Sequence, residues 1–438
     1  MIISILTLFP ELYKEFSKTS LIGRATQKGV MKLNVKNLFE YALPKTRIDS
    51  PVFGHNSGML LRPEIIEKAI EEQEKIYKSS YKIFFSPQGK KLDQNLLKDL
   101  ASKIHQKQHL MLLPARYEGM DSRVEEYYAD LIISIGDYVL MGGDLPAMVL
   151  IEGLTRLLPE VVSNQESIAN ESFSGPFFDH PSYTLPVIWK GFKVPDIVRS
   201  GNHKEIFNWQ RSKAIEKTIY NNFNWLRSHI LNYEDIQEVK NKLPSHYIVL
   251  MHDHVLVESD RVGTSSVTSL DVHDIARSAC TFGLKKYFIV TPLLDQQKII
   301  RKLLNFWLEE SGISYNITRH EAIKNVILIS SLEEVITKII EIEGKEPVLI
   351  ATTAKSKEVE NKAKAITYYD QDEVWSQHKP VLFVLGTARG LSSYIINSCD
   401  YLLEPIKGFS SYNHLSVRSA AAIIFDRWFG INPKNIQK

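Results

Sequence analysis

Short apolar runs rich in β-branched residues recur along the chain, each closed by polar or turn-forming residues. In the first third they are "IISIL", "KIFFS", "HLMLL" and "LIISI". After residue 245 they are "YIVLM", "YFIVT", "VILIS", "PVLIA" and "VLFVLG". Such runs do not alternate polar with apolar, which predicts strands buried on both faces. Between them lie patterns of helical period. "QNLLKDLASKIHQ" puts Leu96, Leu97, Leu100 and Ile104 on one face of a helix. Alternating strands and helices predict an α/β fold, with parallel sheets covered by helices on both sides. The alternation occurs twice.

A different region separates the two series. "VVSNQESIANESFSGP" is small, polar and without period, so it predicts a loop. From about Asp179 to Tyr233 the pattern is helical, basic and aromatic. The chain therefore divides into an α/β domain (1–160), a loop plus small helical domain (161–240), and a second α/β domain (245–438). The two α/β domains end on a similar plan: strand, glycine-bearing loop, then a helix rich in small residues. In the first this is "SIGDYVLMGGDLPAMVLIEGLTRLL", in the second "YLLEPIKGFSSYNHLSVRSAAAIIF".

A length of 438 residues exceeds what one core usually serves, in line with this division. A net charge of +2 makes no global demand for nucleic acid, so any RNA contact must come from local basic patches. Cys280 and Cys399 belong to no CxxC pair or Cys/His cluster and are expected to pack as small hydrophobes. "MIISILTLFPEL" lacks a basic lead and is broken by Pro10 and Glu11, so it is expected to be a buried strand and not a signal peptide. No apolar run approaches the roughly 20 residues of a membrane span. The expectation is a cytoplasmic enzyme or binding protein that makes no membrane contact.

Neither GxGxxG nor GxxxxGK[ST] nor HExxH occurs, and the 13 histidines show no metal-ligand spacing. What remains are three loops expected at successive strand ends: "FFSPQGKKLD" (84–93), "LLPARYEGMDSRV" (112–124) and "SIGDYVLMGGDLPAM" (134–148). In open α/β sheets ligands sit beyond the carboxyl ends of the strands. A single glycine there is explained by a turn. Three such loops together suit a flat adenine held by backbone hydrogen bonds and apolar contact.

The ordered stretches "LFPELY", "SPQGKKLDQ", "RYEGMDSRV", "SIGDYVLMGGDLPAM", "ESF" and "SGNHKEIFNW" resemble the bacterial tRNA (guanine-N1)-methyltransferase family, over residues 1–230. The stretches "TSSVTSLDVHDIARSACTFGLKKYFIVTPL", "VLGTARGL" and "EPIKGFSSYNHLSVRSAAAIIFDRW" are similar to a second methyltransferase family of the same SPOUT superfamily. The resemblance implies two knotted (trefoil) SPOUT-type α/β domains with a small helical domain between them, a fusion of two enzymes. Pattern alone would never suggest a threaded chain. It also implies a homodimer that methylates the guanosine 3′ of the anticodon of tRNA with S-adenosyl-L-methionine (AdoMet).

By the same resemblance the cofactor is held by Pro87, by Ala115, Arg116, Tyr117, Glu118 and Gly119, and by Ile135, Gly136, Asp137, Tyr138, Val139, Leu140, Gly142, Gly143 and Pro146. In the second domain the matching loops carry Gly386, Thr387 and Gly390, then Pro405, Ile406 and Gly408, with Leu415 and Ser416 opening the next helix. Asn413, His414 and Arg418 are candidate RNA or cofactor contacts, and Asn202, His203, Lys204, Trp209, Arg211 and Lys213 are candidate tRNA contacts.

The chemistry can be argued from guanine. Its N1 carries a proton and offers no free lone pair. Methylation there needs a base for that proton and a cation for the charge that shifts to O6. The family places an Asp before "SF" and an Arg on the helix after the glycine loop, which match Glu171 and Arg156 here. The bland alternatives are a solvated loop carboxylate for Glu171 and a helix-surface pair with Glu152 for Arg156. Four departures stand out. Glu171 replaces an Asp, Ala115 a glycine and Asp144 a Glu, and "FGHNSGM" (53–59) brings His55, Asn56 and Ser57 into a glycine-rich loop. They keep open a tRNA- and AdoMet-binding protein whose first site has lost or altered catalysis. The second domain's target and any assistance by Mg2+ stay open as well.

Overall fold

In a computed structural model the described residues are 1–54, 58–162, 171–258, 261–354 and 362–431. His55, Asn56 and Ser57, and residues 163–170 of the expected loop, lie outside them. The protein is a mixed α/β structure with parallel sheets, and its chain forms two compact units, residues 1–170 and 171–438.

The first unit holds strands β1 (Ile2–Thr7), β2 (Lys32–Asn37), β3 (Tyr81–Lys91), β4 (His109–Leu113) and β5 (Leu131–Ser134). All pair in parallel, in the order β2-β1-β4-β3-β5. Its main helices are α1 (Ser20–Gln27), α2 (Pro63–Tyr77), α3 (Gln94–Lys107), α4 (Ser122–Tyr128) and α5 (Asp144–Leu157). Side chains alternate across the sheet. Ile3, Ile5, Ile83, Phe85, Leu110 and Leu112 enter one core with residues of α1, α3 and α5. Leu6, Phe84, Met111 and Leu113 enter another with residues of α2 and α4. Both faces are covered, so the strand sequences are apolar without alternation. In α3, Leu96, Leu100 and Ile104 are buried, and Asp93 caps the helix by accepting the Leu96 N–H at 2.8 Å.

One expectation is corrected here. The segment 84–93 is not simply a loop. β3 runs on to Lys91 through a register shift between Phe85 and Lys90. A Cβ on Gly89 would stand 2.7 Å from the backbone of Ile132 and Ile133, so glycine is what lets the extension pair with β5. β2, "KLNVKN", carried no apolar run because it lies at the sheet edge, where polar residues are tolerated.

The second unit begins with irregular chain and the hairpin Ile188–Trp189/Phe192–Lys193. Lys190 and Gly191 in its turn both have positive φ, 49° and 84°. The helical reading of 179–202 therefore fails: Pro181, Pro186 and Pro195 and this turn are incompatible with a helix. Helices follow as α6 (His203–Asn221), α7 (Phe223–Arg227) and α8 (Tyr233–Lys242). Asn202, Asn222 and Asn232 cap them by accepting the N–H of Glu205, Trp225 and Asp235.

Seven parallel strands then form the second sheet: β6 (His246–Met251), β7 (Lys286–Val290), β8 (Val326–Ile329), β9 (Val348–Thr352), β10 (Lys364–Ile366), β11 (Val381–Gly386) and β12 (Tyr401–Leu403). Their order is β8-β7-β6-β11-β9-β12-β10. Helices α9 (Ser269–Thr281), α10 (Leu294–Leu308), α11 (Leu332–Glu343), α12 (Gln371–Trp375), α13 (Ser393–Asn397) and α14 (Val417–Phe429) accompany it. The 203–242 helices are part of this unit's core. Ile215, Ile219, Phe223, Leu226 and Val239 join one cluster with Trp375 and Trp428. The Phe223 and Trp375 rings meet edge to face at 4.8 Å, and the Arg227 guanidinium donates to the carbonyls of Asp426, Arg427 and Gly430.

Cys399 packs as expected: it is buried, and burial pushes its thiol up to about 12. Cys280 does not, because it sits on the exposed side of α9. Among the described residues no helix is long and apolar enough to cross a membrane. The joint between helical segment and second sheet predicts that Phe223→Ala destabilises the second unit by about 3 kcal/mol, through lost transfer energy and a cavity. Denaturant unfolding followed by tryptophan fluorescence measures it; a loss below about 1 kcal/mol would show that the helices only rest on the sheet.

Candidate active site

Loop 135–143 leaves β5 through a tight turn. The Ser134 hydroxyl donates to the Gly136 carbonyl at 3.0 Å. The loop then runs back against segment 114–119, the exit of β4. Arg116 and Gly142 form an antiparallel bridge, and the Gly143 N–H donates to the Ala115 carbonyl at 2.8 Å. A Cβ on Gly143 would lie 2.8 Å from Pro114 Cα, and one on Gly142 would collide with the Arg116 side chain. The paired glycines thus let one loop lie on the other, a role their spacing did not reveal.

Segment 114–119 is held from its other side too. Glu118 N–H donates to the Met59 carbonyl at 3.2 Å, and Leu61 N–H to the Gly119 carbonyl at 3.1 Å. Between these ties the chain turns sharply: Tyr117 has φ 59° and Gly119 φ 118°, and the Gly119 N–H donates to the Arg116 carbonyl at 3.0 Å. Ala115 is buried.

At the base of the cluster stands Asp144, the first residue of α5 and only 2% exposed. Oδ1 accepts from the Thr7 hydroxyl at 2.6 Å and the Tyr13 hydroxyl at 3.1 Å. Oδ2 accepts from Arg116 Nε at 3.3 Å. The Arg116 guanidinium stacks 4.5 Å from the Phe9 ring centroid and donates to the Met141 carbonyl at 3.4 Å. One carboxylate therefore joins the ends of β1, β4 and β5. A buried anion needs such partners, and the α5 N-terminus adds its own favourable dipole. Burial, reinforced by Asp144, pushes the Tyr13 phenol far above its ordinary range, so it stays a donor. Sequence reading noted Asp144 only as a departure; its adjacency to Gly142 and Gly143 was the available signal.

The remaining candidates differ in exposure and in the element that carries them. Tyr117, Tyr138, Val139 and Leu140 are exposed and give the loops an apolar rim. Pro87 and Asp137 are exposed, with Asp137 paired to Lys91 at 2.7 Å. Ile135 is half-buried, while Gly136 and Pro146 are buried, Pro146 inside the first turn of α5. Backbone turns, small residues and an apolar rim suit an adenosine, so these residues fit the cofactor. Arg156 is half-buried in the last turn of α5. Twelve residues from Asp144, it lies about 18 Å along the helix axis at 1.5 Å per residue, at the end away from the loops. Glu171 is half-buried and begins the second unit. Its carbonyl accepts the Ser174 N–H at 3.0 Å. Phe173 anchors the "ESF" turn by packing on Phe178 and Trp225, with ring centroids at 5.1 and 4.9 Å.

In the second unit the "GTARG" stretch forms a comparable turn after β11. Ala388 and Gly390 have φ of 55° and 107°, and the Gly390 N–H donates to the Thr387 carbonyl at 2.9 Å. A Cβ on Gly386 would lie 2.6 Å from the Leu391 nitrogen. The Thr387 hydroxyl donates to the Met251 carbonyl at 2.9 Å and meets that of Ser265, which lies 3.0 Å from His252 Nδ1. Burial holds His252 down to about 4, hence neutral, and its Nε2 has no partner. Sequence reading had passed over this residue. Pro405 and Ile406 are half-buried, whereas Gly408 and Leu415 are exposed. Ser416 caps α14 by accepting the Ser419 N–H at 3.2 Å. Asn413 donates to the Ala354 carbonyl at 2.8 Å, and Arg418 pairs with Asp271 at 3.1 Å and Asp274 at 3.5 Å. Among the described residues no group of three His, Cys, Asp or Glu side chains could hold a metal ion.

Comparison with known proteins covers both units. Residues 1–228 match the model of the family tRNA (Guanine-1)-methyltransferase TrmD, and residues 245–430 that of a SAM-dependent RNA methyltransferase family. A tRNA (guanine-N(1)-)-methyltransferase of Oleidesulfovibrio alaskensis is 34% identical over 433 residues, 98% of this chain and 99% of the relative. One of Nitratidesulfovibrio vulgaris is 33% identical over 436 residues, with the same coverage of 98% and 99%. A protein of that name from Thermosipho melanesiensis is 39% identical over 220 residues, 50% of this chain and 87% of its own length.

The base of the loop cluster predicts that Asp144→Ala lowers the stability of the first unit by about 3 kcal/mol, because two hydroxyls and a guanidinium lose their acceptor. Thermal unfolding with and without AdoMet tests it. Unchanged melting together with unchanged AdoMet affinity would mean that the carboxylate does not hold the loops.

Proposed function

The chain belongs to the tRNA (guanine-N1)-methyltransferase family, and from that membership we propose that its first unit methylates N1 of the guanosine 3′ of the anticodon. The protein is an AdoMet-dependent tRNA (guanine-N1)-methyltransferase with a second methyltransferase domain at its C-terminal side. The observation that carries the finer reading is the Asp144-based cluster of loops 114–119 and 135–143 at the carboxyl ends of β4 and β5.

AdoMet supplies an electrophilic methyl group on a sulfonium. The loops orient it: backbone and small residues of 115–119 and 135–143 take its polar edges, and the apolar rim takes the adenine. Pro87 borders the same site. Glu171 accepts the N1 proton of guanine, and Arg156 stabilises the negative charge that moves to O6. Glutamate reaches one methylene farther than the family's aspartate, and Phe173 fixes the short turn that follows it. These loops form the trefoil knot of the SPOUT architecture in our reading. Residues 161–240 grip the tRNA, the loops at 386–390 and 405–416 form a second AdoMet site in 245–438, and the enzyme works in the cytoplasm.

The working form is a homodimer in this reading. Leu145 and Val149, 59% and 48% exposed, stand one turn apart on the outer face of α5, and Met141, 87% exposed, precedes them in the loop. Arg156 continues that face by helical spacing. A second copy covering an apolar stripe in a two-fold contact would bring its Arg156 to the loops of the first. In that arrangement Arg156 of one copy would serve the loop cluster of the other.

Labelled AdoMet and unmodified tRNA with guanosine 3′ of the anticodon provide the test. The intact protein forms N1-methylguanosine, Glu171→Gln lowers the rate by 100-fold or more, an effect of about 10²–10⁴ for a lost general base, and Glu171→Asp retains most of it. Equal rates for the Gln variant and the intact protein would remove Glu171 from the chemistry. No product from the intact protein, with AdoMet bound, would point to a lost or altered first site.

A further inference from the structure

The helical segment and the second sheet enclose a cleft of about 370 Å³ that the reaction of the first unit does not use. One wall is α6, where Lys213, Lys217, Tyr220 and Asn221 share a face by their spacing. The other is the end of α12 and the turn after it, with Ser376 and His378. The walls are fixed to each other: the Tyr220 and His378 rings meet edge to face at 5.1 Å.

The charge in and around this cleft is one-sided. Lys345 Nζ donates to the His378 carbonyl at 3.0 Å, which places a further ammonium at its edge. Lys213 pairs with Glu216 at 2.8 Å. That hydrogen bond holds the Glu216 carboxyl below its usual range, and Lys213, Lys242 and His378 add to the effect by charge. Lys217 donates to a backbone carbonyl, that of Asp179, at 3.2 Å. Lys213 and Lys217 thus line the cleft with one carboxylate side chain, Glu216, and Lys345 stands at its edge, while the walls also offer two rings, a hydroxyl and an amide. Its volume falls within the roughly 300–1,000 Å³ of small-ligand sites.

We propose that this cleft binds a ribose-phosphate step of the tRNA, so that the second methyltransferase domain helps to hold the substrate of the first. The proposal rests on the tRNA methyltransferase reading above. Lys213 and Lys217 meet the phosphate, Tyr220 and His378 pack on the sugar or base, and Ser376 and Asn221 reach the 2′-hydroxyl. Such contacts position a nucleic acid without reading its sequence. They give the fusion a use independent of any reaction in the second domain: substrate is gripped by residues on both sides of the 240–245 junction.

Fluorescence anisotropy of tRNA with the full-length protein tests the proposal. Lys217→Glu combined with Lys345→Glu is expected to raise the tRNA Kd about 10-fold and to flatten the slope of log K against log salt by about 1–2. The same charge change at exposed Lys298, on α10, should do neither. Arginine at both positions should preserve affinity. In the unaltered protein, bound tRNA should protect Lys213 and Lys217 from acetylation, a readout that needs no variant to fold. The proposal is overturned if the double variant binds as the Lys298→Glu protein does, or if both lysines acetylate equally with and without tRNA. N1-methylguanosine formation separates the two readings. Product from an intact protein whose tRNA binding ignores these lysines sinks the cleft alone; lysine-dependent tRNA binding without product sinks the N1-guanine reading alone.

Discussion

A single buried carboxylate organises the first unit's candidate site. Asp144 cannot remain charged and dry without partners, and its partners are Thr7 at the end of β1, Tyr13 after it and Arg116 after β4. Satisfying it brings three strand exits to one point. The glycines at 142 and 143 then allow the β5 exit loop to lie on the β4 exit loop. The exposed rim, the tight turn at Tyr117 to Gly119 and the start of α5 all follow from that juxtaposition. A family member with glutamate at this position must solve the same problem with a longer side chain, so Asp144 is a change of reach rather than of principle.

What could be read from the sequence was what depends on local period and burial. Strands such as "HLMLL" and "VLFVLG" are apolar throughout because helices cover both faces, and their positions follow directly. The edge strand "KLNVKN" gave no such signal, since an edge may carry lysine and asparagine. The extension of β3 past Phe85 depends on how closely Gly89 approaches a neighbouring strand, which no local pattern records. The hairpin at 188–193 was hidden among basic and aromatic residues that also suit a helix, although its prolines argued against one. Cys280 looked buried by composition, but the helix turns it outward.

The site was legible in outline and not in mechanism. Motif order placed the loops after β4 and β5 at strand ends, where they are found, but made a loop of 84–93, most of which belongs to β3. It did not show that the glycines serve a loop-to-loop contact, that Asp144 ties the cluster, or that Arg156 stands at the far end of its helix. Those are long-range facts: Thr7 and Asp144 are 137 residues apart. His252 was missed for the same reason, because its neutrality comes from burial beside Ser265 and Thr387 rather than from any neighbour in sequence. The helical segment gives the clearest case of context. Its own pattern suggested a small helical domain, and Phe223 and Arg227 tie these helices to α12 and to the end of α14. A segment that reads as a tRNA grip is thereby mounted on the second methyltransferase domain.

The loops joined by Asp144 are proposed as the AdoMet site of the first unit. Amide hydrogen exchange of the full-length protein with and without AdoMet tests it most directly, since exchange reports local opening segment by segment. The account predicts that residues 114–119 and 135–143 slow together on addition of AdoMet. It also predicts that Asp144→Ala abolishes this joint protection while leaving any change at 386–416 in place. Protection confined to 386–416 in the intact protein, with both loops of the first unit unchanged, would contradict it.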